Sequence, residues 1–82
     1  MLSIEYDPKF LNTVAKIRDN MFKEKVKKQI KKIIEHPEIG KPMRYGRKRT
    51  RELYVKPYRI AYAYSILENK IIFLDIYHKD EQ

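Results

Sequence analysis

Pro8 and Pro37 bracket the stretch of this chain in which apolar residues recur at helical spacing, and that bracket constrains the fold more than any other feature. Inside it, Phe10, Leu11, Val14 and Ile17 form one apolar set, and Phe22, Val26, Ile30, Ile33 and Ile34 form a second. Intervals of three and four put each set on one face of a helix. Asp19-Asn20 separates the two helices. Asp7 can cap the first, with Pro8 at the first helical position, where its missing N–H costs nothing. Pro37 ends the second, because the residue before a proline avoids the helical region.

Outside the bracket the period changes to two. Leu2, Ile4 and Tyr6 alternate with Ser3 and Glu5, the pattern of a half-buried strand. Glu38 to Thr50 holds both glycines and a proline and reads as a loop. Glu52 to Val55 is a short strand stopped by Lys56-Pro57. Arg59 to Ile66 puts Ile60, Tyr62, Tyr64 and Ile66 on one face and Arg59, Ala61, Ala63 and Ser65 on the other. Glu68-Asn69 makes a hairpin turn. Lys70 to His78 is a nearly continuous apolar run, which predicts a central strand buried on both faces. The expected fold is α+β, in the order β-α-α-β-β-β. Two helices cover one face of a small, mainly antiparallel sheet, and the last three strands form a meander. At 82 residues, this is a single domain over 1–82.

Composition narrows the function. The absence of cysteine excludes disulfides and cysteine metal sites. His36 and His78 are the only histidines, and no carboxylate pattern accompanies them, so no metal and no cofactor is expected. There is no glycine-rich phosphate loop and no nucleophile elbow. No apolar run reaches the roughly 18 residues of a membrane span, and acidic residues interrupt the N-terminus, so no membrane partner and a cytoplasmic location are expected. The formal charge of +8 calls for a polyanionic partner.

That charge is concentrated. Lys41, Arg44, Arg47, Lys48, Arg49, Arg51, Lys56 and Arg59 lie close together, with Glu52 the only acid among them and Tyr45, Tyr54 and Tyr58 interleaved. Cations for phosphate and rings for unstacked bases are what RNA binding requires. Arg44, Arg47, Lys48, Arg49 and Lys56 are therefore RNA-binding candidates. Tyr54 and Tyr77 are candidates for stacking on a splayed base. Tyr62 and Tyr64 read as sheet packing. The lysines of the second helix form a separate patch, or simply its solvated face.

Cleaving RNA through its own 2′-hydroxyl needs a base, a group to stabilise charge on the phosphate, and an acid for the leaving 5′-oxygen. Arg59 suits the middle role, because its planar fork matches phosphate oxygens. His78 can serve as acid or base; so can Lys79, if neighbouring cations lower its pKa. Strand parity places Tyr77 and Lys79 on one face and turns His78 to the other. His36 reads as a helix-end residue. Asp75 is expected to be the structural partner of Arg59.

These residues resemble a known family. Arg51 to Tyr64, centred on Tyr58-Arg59-Ile60-Ala61-Tyr62, is similar to the RelE/ParE toxin signature, a short strand and turn followed by Tyr/Phe-Arg-aliphatic-x-Tyr. Ile76-Tyr77-His78-Lys79-Asp80 resembles the family's last strand, which closes with His-Arg or His-Lys. The resemblance spans nearly the whole chain. It implies the toxin of a type II toxin–antitoxin system: a metal-independent, ribosome-dependent mRNA endonuclease (an mRNA interferase) that inhibits translation. A cognate antitoxin, acidic where it meets the toxin, would hold it inactive, and the pair would bind operator DNA through the antitoxin. Arg59 matches the family's phosphate-stabilising arginine, Lys79 its last-strand basic residue, and His78 the position where some relatives carry a catalytic histidine. Glu52 and Tyr54 stand where the best-known members have lysines, which makes Arg51 and Lys56 the substitutes. The alternatives are a ParE-like inhibitor of DNA gyrase on the same fold, or a non-catalytic RNA-binding relative.

Overall fold

Each helix starts on an aspartate. In the computed structural model, which describes residues 2–43 and 49–78, β1 (Ser3–Tyr6) gives way to α1 (Pro8–Ala15) at Asp7, whose carboxylate accepts the Lys9 N–H at 2.9 Å. Asp19 does the same for α2 (Asn20–Glu35), accepting from the Met21 and Phe22 amides. Such caps satisfy donors that the first turn leaves orphaned, each contributing about 1 kcal/mol. His36 closes α2 with a non-helical backbone immediately before Pro37, as the proline demands. Leu11 departs from its expected place: it is exposed on α1 although its spacing fits the apolar set.

Four further strands follow: β2 (Lys41–Pro42), β3 (Thr50–Val55), β4 (Tyr58–Ser65) and β5 (Lys70–His78). β2 corrects the expectation of an uninterrupted loop over 38–50. Lys41 pairs with Glu52 and Pro42 with Arg51, and the Met43 amide donates to the Thr50 carbonyl. The proline is tolerated because β2 is a sheet edge. The sheet order is β1-β5-β4-β3-β2. β3, β4 and β5 form the expected antiparallel meander, and β1 runs parallel to β5.

The apolar run in β5 has a different origin from the one expected. Tyr62 pairs with Phe73 but Ala61 pairs with Asp75, so Leu74 is the extra residue of a β-bulge. A bulge shifts side-chain parity by one. Ile71 and Phe73 point to the helices before it, and Ile76 and His78 do so after it. Ile72 and Leu74 lie half-buried, so β5 is not buried on both faces.

Both helices pack on the face bearing Ile60, Tyr62, Ile71, Phe73 and Ile76, all fully or almost fully buried. Phe10 comes from α1, and Val26 and Ile33 from α2. Phe73 sits among rings, with centroids 5.2 Å from Tyr6, 5.5 Å from Phe10 and 6.2 Å from Tyr62. Tyr62 is the one polar member, and it is satisfied: its hydroxyl donates to the Pro37 carbonyl at 2.8 Å and accepts from the Gly40 amide at 2.9 Å. Burial pushes its phenol above its ordinary pKa. Gly40 is required there, because a Cβ would come within 2.7 Å of the Tyr62 hydroxyl and 2.9 Å of the Glu52 carbonyl. No helix among the described residues is long and apolar enough to cross a membrane.

Candidate functional site

The other face of the sheet carries the charged chemistry. The turn at Lys56-Pro57 sets Val55 opposite Tyr58, which fixes Tyr54 opposite Arg59. The next pairing sets Arg59 opposite Tyr77. Directly paired residues share a face, so Tyr54, Arg59 and Tyr77 form a row across three strands. Glu52, two residues before Tyr54, lies diagonal to Arg59 on the same face.

Glu52 joins that row into one cluster. Its Oε1 accepts from Arg59 Nη1 at 3.0 Å, and its Oε2 accepts from the Tyr77 hydroxyl at 2.8 Å. The Glu52 and Arg59 side chains are 24% and 29% exposed, so the pair is partly shielded yet open to a ligand. Tyr77 is held above its ordinary pKa, first by burial and then by its bond to the Glu52 carboxylate. It therefore remains a protonated donor at neutral pH. Arg59 has further N–H groups with which to meet an anion while keeping its carboxylate partner.

This corrects the expected partner of Arg59. Asp75 is engaged elsewhere: it bridges to Lys9 of α1 at 3.3 Å and accepts its neighbour Ile76's amide. Glu52, read from sequence as the acid in a cationic stretch, is the residue that holds Arg59.

The remaining candidates divide. Arg51 pairs in register with Tyr62 and so points to the helix side, where its Nη1 donates to the Glu38 and Gly40 carbonyls at 3.0 and 2.8 Å. It anchors the segment after α2 and does not join Arg59. His78 pairs with Tyr58, and their rings meet edge-on at 5.4 Å; Tyr58 in turn packs on Phe22 of α2 at 4.9 Å. His78 thus lies on the helix-covered side, away from Arg59, as its parity predicted. Lys56 is exposed in the β3–β4 turn and lines a groove with the helical hairpin. Arg49 is exposed with a φ of 70°, and its carbonyl accepts the Tyr64 amide. Arg44, Arg47, Lys48 and Lys79 lie outside the described residues.

A two-helix hairpin on one face of a meander-based sheet, with Glu52, Arg59 and Tyr77 clustered on the open face, defines the class: a small α+β protein with a charged open-face site. The family model described as "ParE toxin of type II toxin-antitoxin system, parDE" matches residues 4–82, and the chain belongs to that family, within the RelE/ParE superfamily of type II toxins. Solved structures share the fold. A chain of the intact Escherichia coli RelBE toxin–antitoxin complex superposes with a TM-score of 0.79 at 16% identity, over 95% of this chain and 96% of that one. The isolated E. coli RelE toxin gives 0.81 at 15% identity, over 100% and 88%. A YoeB/ParE toxin from Agrobacterium tumefaciens gives 0.80 at 12% identity, over 94% and 98%. A search of curated sequences found no match.

Proposed function

We propose that this toxin inhibits translation by cleaving mRNA on the ribosome, and that Arg59 and Glu52 are the core of its site. The observation that carries this reading is the cluster on the open face: a guanidinium, a carboxylate 3.0 Å away and a protonated phenol, flanked by Tyr54. These are the parts that attack by an RNA 2′-hydroxyl needs. Glu52 takes the 2′-hydroxyl proton as the 2′-oxygen bonds to phosphorus. Arg59 stabilises the added charge on the phosphoryl oxygens. The bond from phosphorus to the 5′-oxygen breaks, leaving a 2′,3′-cyclic phosphate and a 5′-hydroxyl. The departing 5′-oxygen takes its proton from Tyr77, whose oxygen recovers one from the newly protonated Glu52, its hydrogen-bond partner at 2.8 Å; Lys79 is a second candidate donor. Tyr54 offers a ring for a splayed base. His78, turned to the other side, is not assigned to the chemistry.

An antitoxin partner follows from the same reading, supported by the RelBE toxin–antitoxin complex among the structural neighbours. With a net charge of +8 on the toxin, its contact surface should be acidic, and binding should weaken with added salt.

A second reading is inhibition of DNA gyrase, favoured by the matching family model being that of ParE toxins. Cell-free translation of a defined mRNA, with RNA 5′ ends mapped by primer extension, tests the two. New ends within codons, only with ribosomes and only for the wild type rather than Arg59→Ala, are the expected result. Intact mRNA throughout, together with loss of gyrase supercoiling activity, would establish the second reading instead.

A further inference from the structure

The bulge in β5 turns toward the open face a residue that the cleavage chemistry does not use. In a regular strand the residue two after Phe73 would point to the helices with it. The extra residue, Leu74, reverses that parity, and Asp75 pairs with Ala61, which shares Arg59's face. Bulges beside active sites re-aim side chains in this way. The result here is a second carboxylate near Arg59. Glu52 lies diagonal to Arg59 on β3 and Asp75 lies diagonal to it on β5, with Ala61 paired to both. Two strand spacings, about 9.6 Å, separate these two positions, and the Ala61 methyl floors the gap.

The two carboxylates are held differently. Glu52 binds Arg59 and Tyr77. Asp75 accepts the Ile76 amide on Oδ1 at 2.8 Å, and its Oδ2 meets Lys9 Nζ at 3.3 Å. Among the described residues these contacts take one acceptor position on each oxygen, and a carboxylate has about four. The Asp75 side chain is 22% exposed, so it is fixed in direction and still reachable. Its pair with the exposed Lys9 adds little to stability; what it does supply is orientation.

We propose that Asp75 reads the base on the 3′ side of the cut and selects against uracil there. The side follows from the cleavage reading, on which this inference rests. Glu52 and Tyr54, on β3, take the nucleotide that carries the attacking 2′-hydroxyl. Tyr77, on β5, protonates the departing 5′-oxygen. The nucleotide bearing that oxygen therefore lies over β5, where Asp75 is two residues from Tyr77. The selection follows from what a carboxylate can do, which is only to accept. Guanine offers two adjacent N–H donors on its Watson–Crick edge, and cytosine and adenine each offer an amino group. Uracil presents two carbonyls around a single N–H, and its carbonyl oxygens repel the carboxylate. Guanine is therefore held best and uracil worst, with Lys9 keeping the carboxylate aimed.

The Ile76 amide, bonded to Asp75, reports on the subsite directly. Four dinucleotides that differ only in the 3′ base, each with a 2′-deoxy 5′ nucleotide so that none can be cleaved, are titrated into the full chain and followed by ¹H–¹⁵N NMR. The guanine dinucleotide should bind about tenfold more tightly than the uracil one and should shift the Ile76 amide. Asp75→Asn, whose amide both donates and accepts, should bring the two within about threefold. Lys9→Met should act in the same direction but less, and Arg59→Ala should weaken all four alike, because a phosphate contact carries no base information. Thermal melts verify that each variant is folded. Equal affinities for the four bases in the wild type, absent binding included, would overturn the proposal. So would an unmoved Ile76 amide, or a loss in Asp75→Asn spread evenly over the four bases, as a merely structural role would give. The same four bases are then placed 3′ of the cut in mRNA on ribosomes. Cleavage indifferent to that base removes the subsite and leaves the cleavage reading; selective dinucleotide binding with intact mRNA removes the cleavage reading and leaves the subsite.

Discussion

The two faces of one sheet do opposite jobs with residues taken alternately from the same strands. On β4, Ile60 and Tyr62 are sealed beneath the helices, while Arg59 between Tyr58 and Ile60 meets a carboxylate in the open. Among the described residues the sealed face fully buries one polar group, the Tyr62 hydroxyl, and gives it two partners. The open face keeps Glu52, Arg59 and Tyr77 in mutual contact and leaves them reachable. Stability and chemistry can therefore be damaged separately, by substitutions one residue apart.

The largest effect is expected on the sealed face. Phe73→Ala removes a fully buried ring in contact with three others and should cost about 3–5 kcal/mol, most of the stability of a domain this size. Chemical denaturation would show it as a lowered midpoint. On the open face, Arg59→Ala should lower the proposed mRNA cleavage by about 10²- to 10³-fold while shifting the melting temperature by only a few degrees. His78→Ala sharpens the contrast, because that ring sits against Tyr58 on the other side and should cost less than about fivefold in cleavage. An equal loss in the two variants would break the division between faces. Tyr62→Phe should cost about 1–2 kcal/mol, through the unpaired Pro37 carbonyl and Gly40 amide, with cleavage by the folded fraction unchanged.

The smallest effect is a pH dependence. Tyr77 and Tyr62 both have pKa values raised above the ordinary 10.0, so folding favours their protonated forms. That contribution is fully present below pH 10.0 and is lost as the pH rises through the folded-state values, since the unfolded chain releases its protons first. Tyr77→Phe should flatten part of the decline in stability above pH 10.0. An identical decline in the wild type and the variant would show that the phenol's bond to Glu52 is not coupled to folding.

Most of the fold was legible because period and punctuation agree: Asp7-Pro8, Asp19 and Pro37 delimit the helices, and alternation marks the strands. β2 escaped notice because a two-residue strand containing a proline carries no periodic signal. The bulge at Leu74 was hidden in an apolar run that two-sided burial explains equally well, although a one-residue parity slip between Phe73 and Ile76 is visible in hindsight. Arg59 was legible from its motif. Its partner was not, because Asp75 was weighed by strand position, whereas the turn at Lys56-Pro57 already dictates that Glu52 lies diagonal to Arg59. Arg51 was assigned to the site as a substitute for the family's short-strand lysines; its register opposite Tyr62 sends it to the other face.

The parallel pairing of β1 with β5 has a consequence for how the molecule is made. Ser3 meets Lys70 and Tyr6 meets Phe73, so β1 has no strand neighbour until β5, far along the chain, is in place. Non-local pairing of this kind slows folding. Phe73 and Ile76, which complete the core, and Tyr77, which completes the open-face cluster, all arrive on that same late strand. The molecule therefore acquires its hydrophobic centre and its open-face cluster in the same step, the docking of β5.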